Sequence, residues 1–114
     1  MKKFTNKELQ KTFRRFNKDF FQKRIRIRSR HVRFGNKKQC CNAEGICSKK
    51  NFIYINEELK KHPDLSFIIL LHEMAHAVLF EDGYVGYGFD GGHGQRFYAE
   101  LHRLYLAGAY ENLL

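Results

Sequence analysis

The run Phe67-Ile-Ile-Leu-Leu-His-Glu-Met-Ala-His-Ala-Val-Leu-Phe80 constrains this chain more than any other stretch. Its only polar residues are His72, Glu73 and His76. Apolar side chains flank them on every side, so the pattern predicts a helix buried all round rather than on one face. At about 14 residues the run is too short to span a bilayer. An unpaired buried imidazole or carboxylate costs several kcal/mol, so three such groups in one helix need a common partner. Side chains at i and i+4 stand one above the other, about 5–6 Å apart at Cβ. Two imidazoles so placed can converge on a metal at about 2.0–2.1 Å. Glu73 is rotated off that axis, where it can reach a water activated by the metal. This is the His-Glu-x-x-His pattern of zinc hydrolases. The bland alternative is a pair of core histidines bonded to backbone carbonyls. It leaves Glu73 and both imidazoles needing separate partners.

Length and composition set the frame around that helix. At 114 residues the chain is expected to form a single domain over residues 1–114. A hydrophobic content of 43%, with eleven Phe and six Tyr, places it among globular chains. The N-terminal residues enter a charged amphipathic pattern without an apolar signal core, so a cytoplasmic or nucleoid-associated protein is expected, not a secreted one. Cys40, Cys41 and Cys47 are odd in number and lack CxxC spacing, which argues against a disulfide framework. Charge is unevenly shared: residues 1–50 hold 17 Lys/Arg against 3 Asp/Glu, and residues 51–114 hold 4 against 9. A basic half of this kind suggests a polyanion partner, most often nucleic acid. A solvated basic surface that only aids solubility is the bland reading.

Thr5 followed by Glu8 has the form of a capping box. Leu9, Phe13, Phe16 and Phe20 then predict an amphipathic helix over residues 6–21, with those four as a core stripe. The alternation Arg24-Ile25-Arg26-Ile27-Arg28-Ser29-Arg30 predicts a half-buried strand. It would put Arg24, Arg26, Arg28 and Arg30 on one face. Like charges so arranged repel, and a polyanion would relieve them; Phe34 nearby is a candidate base-stacking ring, with core packing as the plainer role. Residues 43–48 and 52–56 predict two further strands, the second rich in β-formers. Residues 57–62 form a short helix or loop stopped by Pro63, with Asp64 as N-cap of the buried helix and Gly83 near its end. Residues 83–94 hold six of the nine glycines in a loop without the GxxxxGK of a phosphate cradle. A last helix runs from His93 or Gly94 to about Ala107, with Phe97, Leu101 and Leu104 inward. The expected class is α+β: a small three-stranded sheet packed on an N-terminal helix and the buried helix.

A catalytic zinc has three protein ligands and one open position. His72 and His76 supply two, and the third comes from outside their helix. His93, between glycines where the loop returns, is the leading candidate. Glu100 and Asp82 are the rivals, and Asp90 is a candidate acceptor for an imidazole N–H. His31, His62 and His102 read as surface or core residues.

His72-Glu73-Met74-Ala75-His76-Ala77 followed by Gly92-His93-Gly94-Gln95-Arg96-Phe97 resembles the SprT-like/Spartan group of zinc metallopeptidases. Phe16-Asn17-x-x-Phe20-Phe21, Gly45-Ile46-Cys47 and Ile53-Tyr54-Ile55-Asn56 resemble the same family's early helix and strands, so the likeness covers about residues 13–105. It implies a compact zincin-like fold. It also implies Zn²⁺ held by His72, His76 and His93, the last being the His of an HGxxF segment. For the Spartan branch it implies DNA-stimulated cleavage of proteins attached to DNA. The paired CxxC of a zinc ribbon and a Trp after the first strand, frequent in that family, are absent from these 114 residues.

The expected chemistry is metalloendopeptidase action on a protein or peptide, with Glu73 as the base that takes a proton and passes it to the leaving amine. The strand at residues 52–56 is the expected edge for holding substrate by strand addition. Tyr84 or Tyr87 is a candidate donor to the tetrahedral oxyanion. DNA is expected on Arg24, Arg26, Arg28 and Arg30, and no membrane partner is expected. The competing class is a non-catalytic nucleic-acid-binding domain with a structural zinc, closed by a fourth protein ligand such as Glu100 or a cysteine.

Overall fold

The computed structural model describes residues 4–48, 51–84, 93–111 and 113. Helix α1 spans Asn6–Phe21 and starts as its sequence dictates: the Glu8 N–H donates to Thr5 Oγ1 at 3.2 Å, and the two side chains bond at 3.1 Å. Leu9, Phe13 and Phe16 form its buried face; Phe20 is only half-buried.

Three strands follow, β1 (Val32–Gly35), β2 (Gly45–Ser48) and β3 (Phe52–Asn56). They form one sheet in the order β1-β3-β2, with β1 parallel and β2 antiparallel to β3. The last pair is in register Gly45 with Ile55 and Cys47 with Ile53. β3 is therefore central and presents no free edge, which corrects the expectation that residues 52–56 would take up substrate; β1 and β2 are the edge strands.

The arginine segment is a second correction. Ile25 and Ile27 are buried and Arg24, Arg26, Arg28 and Arg30 exposed, so the two-residue alternation of burial is there. The ladder is not, because other groups take the backbone bonds. Asn17 brackets Ile25, accepting from its N–H at 3.3 Å and donating to its carbonyl at 2.9 Å. The Arg26 N–H donates to Glu81 Oε2 at 2.7 Å. A 3₁₀ turn at Ser29–His31 then leads into β1. Phe34 is a core ring, edge-on to Phe4 at 6.3 Å, and offers no face to a base.

Helix α2 spans Pro63–Glu81 and α3 spans Gln95–Leu106. Pro63 stands at the first helical position, which its fixed φ and missing N–H suit. His62, not Asp64, is thus the N-cap residue, and Asp64 lies in the first turn. Gly83, at φ +89°, follows the C-cap Asp82. At 19 residues α2 exceeds the apolar run, and by length and composition alone it would suit a bilayer span. Here it is the central core helix. Leu70, Leu71, Met74, Ala75, Ala77 and Val78 are buried around it, and it packs on β2, β3, α1 and α3. Among the described residues the fold is α+β: a three-stranded mixed sheet with three α-helices.

Candidate metal centre

One face of α2 looks across a groove at β2. His72 and His76 stand on it one turn apart, their rings 5.1 Å between centroids. His93, one residue before the N-cap Gly94 of α3, brings a third ring to 5.1 Å from His72 and 4.9 Å from His76. One ring nitrogen from each of the three lies within 4.8 Å of the others, and among the described residues this is the one cluster of its kind. The His76 and His93 Nε2 atoms are 3.1 Å apart. Tetrahedral coordination at about 2.0–2.1 Å puts ligand nitrogens roughly 3.3 Å apart, so the pair is already spaced for a shared cation.

Electrostatics agree with the geometry. Burial lowers the His76 pKa to about 4, with His72 and His93 adding to the effect. Burial, then His93, lowers that of His72. His72 and His76 are thereby kept neutral, the form in which an imidazole ligates a metal. The residues fit a metal ion.

Phe97 is the residue whose part in the site the hydrophobic pattern did not announce. It is buried, and its ring touches all three imidazoles, at 4.9 Å from His72, 4.3 Å from His76 and 4.7 Å from His93. It lies in the first turn of α3, just past His93 and the N-cap Gly94, which brings its ring under the cluster.

Glu73 lies beside the cluster and is 6% exposed. Burial alone lifts its pKa to about 8. A neighbouring cation would draw that value down again. Gly45 makes the approach of β2 possible. A side chain there would begin 2.7 Å from Ile69 Cγ2 and 3.2 Å from the Glu73 carboxylate. The groove so formed holds about 440 Å³, with residues 43–47 of the β2 edge along one wall and Ile69, the histidines and Phe80 along the other.

The rival ligands are engaged elsewhere. Glu100 accepts from Arg103 Nε at 3.0 Å, and Arg103 in turn donates to the Phe20 carbonyl. Asp82 pairs with Arg24 at 3.2 Å. His31, His62 and His102 are exposed and stand apart from the cluster. No disulfide joins Cys40, Cys41 or Cys47; Cys47 lines the groove, and none joins the histidines. Tyr84 is outside the groove, with the Arg96 guanidinium 4.1 Å above its ring. Asp90 and Tyr87 lie outside the described residues.

A family model described as SprT-like matches residues 9–111, nearly the whole chain. No curated protein and no solved structure matches it.

Proposed function

This chain belongs to the SprT-like family, and from that premise we propose that it is a zinc-dependent endopeptidase acting on proteins, with DNA-associated proteins as its substrates. The observation that carries the reading is the meeting of three imidazoles with a buried glutamate on the wall of an open groove. Three imidazoles suit zinc among the divalent metals.

Zinc, when bound, supplies a Lewis acid that polarises a carbonyl and makes water a nucleophile near neutral pH. His72, His76 and His93 are the residues that would hold it. Glu73 accepts the proton of the attacking water and delivers it to the leaving amine. Its burial keeps bulk water from competing for that proton. The outer edge of β2, an edge strand among the described residues, rather than β3, receives an extended peptide as an added strand, which lays the scissile bond across the groove. Cleavage of casein should therefore stop on treatment with a chelator and return with stoichiometric zinc. Equal cleavage by chelator-treated and zinc-restored protein would contradict the reading.

A structural zinc in a non-catalytic module would require a fourth protein ligand. Among the described residues no carboxylate or cysteine joins the three histidines, which favours the enzyme.

DNA is the proposed second partner, through phosphates. Arg26, Arg28 and Arg30 are exposed on an irregular segment, and Arg24 would have to exchange Asp82 for a phosphate. Four contacts correspond to a slope of log K against log salt of about −3 to −4. Changing Arg26 and Arg28 to Ser should flatten that slope by about two units and weaken all sequences alike. Salt-independent binding, or none, would leave the charge without this role.

A further inference from the structure

β2 is a short edge strand, and the strand beside it helps to hold its leading end over the site. Asn56, the last residue of β3, is 9% exposed and uses both halves of its side-chain amide. Its Nδ2 donates to the Ala43 carbonyl at 3.1 Å, and its Oδ1 accepts from the Glu58 N–H at 3.0 Å. Its own backbone N–H donates to the Glu44 carbonyl at 2.8 Å, carrying the ladder one residue beyond the strand. Two successive carbonyls of the approach to β2 are thus fixed from one residue. That approach leaves a turn in which Cys41 and Asn42 both have positive φ, 51° and 65°, a conformation Asn adopts readily and Cys rarely. One residue further on, Gly45 lies against Ile69 and the Glu73 carboxylate. Residues 43–45 also form the groove wall.

We infer that Asn56 is a positioning residue: its side-chain amide holds residues 43–45 at the separation from α2 at which an extended peptide can pair with β2 over Glu73. The inference rests on the endopeptidase reading for its choice of ligand and adds the residue that sets the substrate edge. Asn56 touches neither the histidines nor the peptide; it acts through the backbone of its neighbour. The two halves of its amide have separable duties. The Oδ1 bond caps the 3₁₀ turn Glu57–Lys61, a structural duty, whereas the Nδ2 bond reaches the groove wall.

Asn56→Asp separates them, because a carboxylate still accepts from the Glu58 N–H but cannot donate to Ala43. Asn56→Ser is the uncharged counterpart: serine is a good capping acceptor and is too short to reach Ala43. Binding is read in a Glu73→Gln background, where a labelled extended casein peptide is held without turnover. Either change at Asn56 should weaken peptide binding roughly tenfold, the scale of about one net hydrogen bond. Zinc content should stay the same. Amide exchange at residue 56, whose N–H donates to Glu44, should quicken by a similar factor, while that of Glu58 stays slow. Peptide bound equally with and without the Asn56 change, or unchanged exchange at residue 56, would overturn the inference. Wild-type protein that takes up zinc and cleaves nothing would instead count against the endopeptidase reading, since neither binding nor exchange depends on turnover.

Discussion

Glu73→Gln is expected to leave the protein folded and able to bind zinc while lowering peptide cleavage by roughly 10²–10⁴, the range a positioned proton-transfer group contributes. The substitution fits its surroundings. Glu73 is buried against Gly45 and the base of the groove, and burial keeps its pKa near 8 in the metal-free protein. At neutral pH the metal-free site already holds a neutral, hydrogen-bearing group of this shape, so an amide costs the fold little. What the amide cannot do is accept a proton at the moment water attacks. The loss should therefore fall on turnover, with zinc content and the unfolding midpoint close to wild type. Casein digestion by the variant at the wild-type rate would remove Glu73 from the chemistry. A variant without zinc would mean that the residue supports the metal instead.

The histidine cluster is more legible in the sequence than the edges of the fold. His72, Glu73 and His76 stood out because polar groups inside an apolar run must share a partner, a constraint that needs no knowledge of distant contacts. Helix α1 was read to the residue because Thr5 and Glu8 bond within one turn, and its apolar stripe has helical spacing. The arginine segment misled because alternation reports only that one side is buried. Whether a strand partner is there depends on groups far along the chain, here Asn17 and Glu81. Strand order was hidden for the same reason. Nothing within residues 52–56 says that both their edges are taken, so they read as an edge strand although β3 is the central one. His62 displaced Asp64 as cap because Pro63 is best placed at the first helical position, a local rule that competed with the N-cap preference and prevailed. Phe97 was visible as an apolar position on α3, but its contact with three imidazoles needs α2 and α3 packed together.

His93→Ala is expected to weaken zinc binding by roughly 10²–10³. Zinc sites with four protein ligands bind with about 10–16 kcal/mol, or roughly 2.5–4 kcal/mol for each ligand. His93 is the one candidate ligand outside α2, so among the described residues its removal leaves two imidazoles on a single helix and no third nitrogen near His76. Glu100→Gln should leave zinc affinity unchanged, because that carboxylate is occupied by Arg103. The measurement that tests the account most directly is a zinc titration of wild type, His93→Ala and Glu100→Gln against a chromophoric chelator. The account predicts one zinc per chain in wild type and in Glu100→Gln, with a loss of at least about a hundredfold in affinity confined to His93→Ala. Folded wild-type protein that takes up no zinc, or a loss that follows Glu100 instead of His93, would contradict it.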